Sequence, residues 1–123
     1  MIAKELIKGT IRTVVLSLLA ENKRMYGYEL MQAIDAKTQG KIKLQMGSLY
    51  PILHKLEAEG LIYSESEYVG KRIRKYYLLT RGGEQEKEQK VHELKEFLTT
   101  IHSIIDKGGM ANATRETRRS FLK

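Results

Sequence analysis

The spacing of apolar residues changes near Gly60, and this change limits the folds that the chain can adopt. Before it, apolar residues recur every three or four positions in residues 4–21, in residues 27–39 and in a third segment that ends at Gly60. This spacing predicts three amphipathic helices. After it, residues 61–68 and 73–80 are rich in Tyr, Ile and Leu and flank a short turn, which predicts a β-hairpin. Three helices followed by a hairpin is the element order of a winged helix-turn-helix, with the hairpin as the wing.

A long last helix is predicted from Glu84 to Asp106, where apolar residues alternate at steps of three and four. The seam is wider than one small domain needs, which favours pairing with a second copy; packing against the chain's own first helix is the alternative. The residues predicted to form the dimer interface are Leu6, Val14, Val91, Leu94, Leu98, Ile101 and Ile105.

The predicted fold is therefore mainly α with a small two-stranded β-hairpin. A winged helix-turn-helix domain is expected in residues 1–80, a C-terminal dimerisation helix in 81–109 and a basic, flexible tail in 110–123.

The charge of the chain is positive and unevenly distributed. The net charge is +7, and residues 1–83 carry 14 basic against 8 acidic side chains, whereas residues 84–109 carry 4 against 6. A basic body favours a polyanionic partner, although a merely basic, soluble protein is the alternative. The chain has no cysteine and no apolar run long enough to cross a membrane, which fits a cytoplasmic protein.

The third helix carries unusual residues on its outer side near its start. If Ser48 caps the helix, Pro51 falls at the third helical position, where a proline is tolerated. The exposed helix start then offers free N–H groups to phosphates, as a recognition helix does in the major groove. The residues predicted to contact DNA there are Gly47, Ser48, Tyr50, Pro51, His54 and Lys55. Packing of Tyr50 against the wing and a solvated Lys55 remain the alternatives.

The predicted wing has a strongly basic tip. Lys71, Arg72, Arg74 and Lys75 place four positive charges within five residues, just after a glycine. Such a tip suits the phosphates of a minor groove. The alternative is a solvated strand edge that uses charge to prevent aggregation.

The sequence does not support an enzyme. The three histidines, His54, His92 and His102, are far apart, and no HExxH or CxxC spacing is present. We expect no metal and no cofactor.

Three motifs together resemble the PadR-like transcriptional regulators: GYELMQAI at 27–34, GSLYPILHKLEAEGLI at 47–62 and RIRKYYLLTRGG at 72–83. The resemblance implies a dimeric winged-helix repressor that binds double-stranded DNA at a palindromic operator. It also implies that the C-terminal helix contacts the partner subunit. The single C-terminal helix is similar to that of the short-tailed members.

The resemblance also assigns residues. Ser48, Tyr50 and Pro51 match the start of the recognition helix, Lys71, Arg72 and Arg74 match the basic wing, and Tyr28 matches a position near the phosphate backbone.

Some short-tailed members hold a flat aromatic effector at the dimer centre, stacked on a tryptophan. This chain has no tryptophan and carries Leu94 at about that place, so Leu94 and Phe97 are the predicted effector contacts, without such stacking. A small-molecule-binding module and a protein–protein adaptor are the alternative functions.

Overall fold

The computed structural model describes residues 1–106, and the predicted tail at 110–123 lies outside them. Within the described residues, the elements are α1 (Lys4–Ile7), α2 (Ile11–Glu21), β1 (Met25–Tyr26), α3 (Gly27–Lys37), α4 (Met46–Ala58), β2 (Ile62–Val69), β3 (Arg72–Leu79) and α5 (Arg81–Ile105). The predicted fold class is confirmed: the chain is mainly helical, with a wing and a long C-terminal helix.

The first predicted helix is interrupted. We expected one helix over residues 4–21, but α1 ends at Ile7 and α2 begins at Ile11. Thr10 makes the turn, because its backbone N–H and its hydroxyl both donate to the carbonyl of Ile7, at 2.9 and 3.0 Å. Gly9 adds backbone freedom that opposes a continuous helix. The break leaves both Ile7 and Ile11 buried.

The sheet has three strands instead of the expected two. The additional strand is β1, in which Met25 and Tyr26 pair antiparallel with Tyr77 and Tyr76 of β3. The strand order is β1-β3-β2. Two residues are too few to show an alternating pattern, so this strand has no sequence signal of its own.

The core lies between the helices of the first 91 residues and one face of the sheet. On α4, Leu49, Leu53 and Leu56 are completely buried. Each such side chain contributes about 1.5–3 kcal/mol through burial. Tyr77 of β3 is also buried, and this burial raises the pKa of its hydroxyl. The other fully buried residues are Val15, Leu16, Leu30, Ile34 and Ile62.

An ion pair joins α2 to the end of α4. The Arg12 guanidinium donates to both carboxylate oxygens of Glu59, at 2.7 and 3.2 Å. The hydrogen bond from Arg12 lowers the pKa of Glu59. Both side chains are partly exposed, so the pair tethers the surface of the domain rather than its core.

The start of α5 is fixed against the end of α4. The Thr80 hydroxyl donates to the Gly60 carbonyl at 2.7 Å and accepts from the Gly83 N–H at 2.9 Å. Gly83 lies so close to the chain that a Cβ there would overlap the carbonyl oxygen of Leu61. The contact between the start of α5 and the end of α4 therefore requires glycine at position 83.

The chain forms two compact units, Met1–Val91 and the remainder from His92. In the described part of the second unit, five apolar side chains are exposed: Phe97, Leu98, Ile101, Ile104 and Ile105. The predicted domain boundaries stay a prediction.

Candidate nucleic-acid interface

Helix α4 begins three residues earlier than predicted. Gln45 is its N-cap residue, and the first helical residue is Met46, so the prediction that Ser48 caps the helix is wrong. Pro51 is then the sixth helical residue and lies inside the helix. Because proline lacks an N–H, the carbonyl of Gly47 loses its helical donor. The start of α4 is stabilised instead by the Gln45 carbonyl, which accepts from Ser48 and Leu49 N–H groups at 2.9 and 3.1 Å.

The outer face of α4 is open to solvent. All six α4 residues predicted to contact DNA are exposed: Gly47, Ser48, Tyr50, Pro51, His54 and Lys55. The rings of Tyr50 and His54 stack with centroids 6.2 Å apart and an interplanar angle of 29°. This face therefore presents a flat aromatic pair beside the free helix start.

The wing is a tight hairpin. Val69 pairs with Arg72, which leaves Gly70 and Lys71 as a two-residue turn. Gly70 has φ +65°, as the first central residue of a type II′ turn requires. Arg74 and Lys75 follow on opposite faces of β3. The turn thus carries the basic residues to the tip of the sheet, as predicted.

A groove of about 320 Å³ separates the wing from the starts of α3 and α4. Five of the predicted DNA-binding residues line it: Tyr28, Tyr50, Arg72, Arg74 and Lys75. Strand β1 pairs only with Tyr76 and Tyr77, so the tip half of β3 has a free edge facing this groove. Three cations beside two tyrosines on one groove make a surface suited to phosphate oxygens.

Arg74 is held by aromatic rings rather than by a carboxylate. Its guanidinium lies 4.1 Å from the centroid of Tyr26, and Arg24 lies 3.8 Å from the centroid of Tyr76. The two rings meet edge to face at 5.5 Å. A hydrogen bond of 3.5 Å to the Tyr76 hydroxyl raises the pKa of Arg74. Arg24 also pairs with Glu67 at 2.6 Å.

This cluster of Arg24, Tyr26, Arg74 and Tyr76 was missed by sequence reasoning. Its signal is an Arg-x-Tyr pattern that occurs at 24–26 and again at 74–76. Each arginine crosses to the tyrosine of the neighbouring strand, as diagonal pairs in a sheet do. The cluster ties β1 to the wing and fixes the direction of Arg74.

The predicted α4 residues do not all face the wing. Ser48, Pro51 and Lys55 line a second, larger groove of about 1040 Å³, on the side of the N-terminal segment. The Ile2 N–H donates to the Lys41 carbonyl at 2.7 Å, which holds that segment in place. Four further cations that sequence reasoning did not select also line this groove: Lys4, Lys8, Arg12 and Lys43. Helix α4 therefore has basic residues on both sides.

The predicted dimer residues differ in exposure. Leu6 is exposed, whereas Val14 is half-buried and packs against the chain's own core. Val91 and Leu94 are half-buried, and Leu98, Ile101 and Ile105 are exposed, as is the predicted effector contact Phe97. The dimer and effector roles of these residues stay predictions.

Among residues 1–106, no three His, Asp or Glu side chains are grouped so that they could hold a metal ion. None of the described helices is long and apolar enough to cross a membrane.

Comparison with known proteins gives a consistent result. A family model described as the transcriptional regulator PadR-like family matches residues 15–89. A transcriptional regulator of Mycobacterium tuberculosis is 34% identical over 80 residues, covering 65% of this chain and 71% of that protein. An uncharacterised protein of Lysinibacillus sphaericus is 31% identical over 109 residues, covering 86% of this chain and 94% of that protein.

Solved structures are similar along most of the chain. A transcriptional regulator of Clostridium thermocellum has a TM-score of 0.77 at 30% identity, covering 83% of this chain and 99% of that one. A PadR family regulator of Eggerthella lenta has a TM-score of 0.73 at 28% identity, covering 85% and 88%.

Proposed function

Since the chain belongs to the PadR-like family of transcriptional regulators and is not an enzyme, we propose that it acts as a sequence-specific, DNA-binding homodimer. The observation that carries the proposal is the groove between α4 and the wing. There Tyr50 of α4, Tyr28 of α3 and three cations of the wing line the same space. Base edges are read by the helix, and phosphates are bound by the cations on either side.

The two parts of the surface have different tasks. The aromatic pair Tyr50 and His54 stands on the outer face of α4, where a recognition helix meets base edges. Lys71 and Arg72 at the wing tip and Lys55 on α4 meet phosphates, which every sequence offers alike. Selectivity therefore resides in α4, and much of the affinity resides in the cations.

Dimerisation follows from the exposed seam of α5. Leu98, Ile101 and Ile105 are apolar and exposed, and burying such side chains against a second copy would favour association. Two copies present two recognition helices, which fits a palindromic operator with half-sites about 34 Å apart. Repression follows if such an operator overlaps a promoter.

The proposed effector binds at the same helix, α5. A hydrophobic or aromatic small molecule held near Leu94 and Phe97 would alter the spacing of the two recognition helices and release DNA. Operator affinity measured with and without candidate hydrophobic compounds tests this step, and a saturating screen without any shift contradicts it.

Two substitutions, one in each element, test whether α4 provides the sequence selectivity and the wing provides affinity for any DNA. His54→Ala should lower affinity for the preferred sequence more than for scrambled DNA, whereas Arg72→Ala should weaken both by similar factors. Fluorescence anisotropy on the two duplexes measures the ratio. Lys37→Ala is the control, because Lys37 lines neither groove and pairs with Glu21 at 3.6 Å. Wild-type affinity in both variants would refute the proposal.

A further inference from the structure

Two large apolar side chains at the wing tip are exposed. Tyr68 is 75% exposed and Ile73 is 64% exposed. They are direct partners in the β2–β3 register, so their side chains stand side by side on one face of the sheet. Further along that face, Tyr77 is 1% exposed and belongs to the core. The pair of Ser66 and Lys75 separates the tip from this core, so core packing does not explain the tip residues.

The surroundings of this apolar pair are basic. Lys71 and Arg72 form the adjoining turn and strand start, and Ile73 lines the same groove as Tyr28 and Tyr50. The pair is thus continuous with the surface assigned to DNA. A partner for this tip must offer negative charge and apolar carbon side by side. A DNA minor groove does so, with phosphates along its edges and deoxyribose carbons on its walls.

We propose that Tyr68 and Ile73 pack against deoxyribose in the minor groove beside the half-site and favour A·T pairs there. The inference rests on the proposed DNA-binding function. In the minor groove, a G·C pair differs from an A·T pair by the exocyclic amino group of guanine. An apolar side chain packed against that group leaves it without a hydrogen-bond acceptor, which disfavours G·C. The wing thereby reads base composition without a hydrogen bond to a base.

Ile73→Ser tests the apolar contact against the ionic one. Since Ile73 is exposed, the variant should unfold at the wild-type temperature. Its affinity for the preferred duplex should fall about tenfold, through loss of buried apolar area, with an unchanged dependence on salt. Arg72→Ala should instead lower the slope of log K against log salt by about 0.9. Wild-type affinity in Ile73→Ser overturns the inference.

Inosine substitution in the DNA tests whether the wing contacts the minor groove. Inosine lacks the exocyclic amino group of guanine, so an I·C pair presents the minor-groove pattern of A·T. With G·C pairs beside the half-site replaced by I·C, wild-type affinity should rise several-fold, and Ile73→Ser should show no such rise. An equal rise in both proteins, or none in the wild type, overturns the inference. If the wild-type protein shows no sequence preference at all, the proposed DNA-binding function fails together with this inference. If Arg72→Ala weakens binding and Ile73→Ser does not, only this inference fails.

Discussion

Salt dependence can separate the cations that contact DNA from those that are engaged within the protein. Arg74 is hydrogen-bonded to Tyr76, and Lys75 lies 3.8 Å from a carboxylate oxygen of Glu57. Lys71 and Arg72 are exposed, and within residues 1–106 neither forms an ion pair. These two side chains are therefore the wing charges that are free to neutralise phosphates, and Lys71→Ala with Arg72→Ala removes both.

The size of the effect follows from counterion release. Each phosphate contact contributes about 0.9 to the slope of log K against log salt, so the double variant should lose about 1.8 per bound protomer. Between 50 and 200 mM salt, a slope difference of that size changes the affinity ratio of the two proteins by about twelvefold. The wild type should bind much more tightly at the lower salt, and the two affinities should converge as salt rises.

Fluorescence anisotropy with one labelled duplex at five or six salt concentrations gives both slopes. Lys37→Ala is again the control for loss of a cation away from the grooves, and it should keep the wild-type slope. Circular dichroism checks that each variant is folded. A folded double variant with the wild-type slope would refute the assignment of Lys71 and Arg72 to phosphates.

Three other predictions concern stability and assembly. Gly83→Ala should lower the free energy of unfolding by about 1–3 kcal/mol, because the added Cβ overlaps a backbone carbonyl. The matched variant Gly82→Ala meets only ordinary contacts and should raise the free energy of unfolding by up to about 1 kcal/mol. Urea denaturation of both variants measures the difference. Leu98→Asp should shift the protein from dimer to monomer in sedimentation, and a variant that stays dimeric contradicts the role of the α5 seam. The pKa of Glu59 is lowered by the hydrogen bond from Arg12, so the pair stabilises the fold above the ordinary carboxyl pKa and loses this effect as pH falls through the folded-state value. Denaturation at several pH values should therefore show the difference between wild type and Glu59→Gln shrinking in acid, and a difference independent of pH would contradict it.

The parts of the fold that sequence reasoning predicted correctly depend on periodicity within one element. Leu49, Leu53 and Leu56 recur at helical spacing and are all buried, so the spacing located both α4 and its outer face. Gly70 stands between two strand-like segments, and this local pattern likewise indicated the position of the wing turn.

The features that were missed depend on partners distant in sequence. Strand β1 exists because Met25 and Tyr26 pair with β3, and two residues alone carry no strand pattern. The Arg24–Tyr76 contact requires the same pairing, whose register cannot be derived from spacing. Ser48 is a favourable capping residue, yet the helix begins at Met46, because the Gln45 carbonyl accepts the first helical hydrogen bonds.

Selection of bound duplexes from a random DNA pool, at about 150 mM salt, is the decisive measurement of sequence-specific binding by α4 and the wing. We expect enrichment of an inverted repeat whose half-sites are about 34 Å apart, with A·T pairs beside each half-site. Lys71→Ala with Arg72→Ala should enrich the same repeat at lower affinity. If the folded wild-type protein enriches no motif over the starting pool, the assignment of α4 and the wing to sequence-specific DNA binding is contradicted.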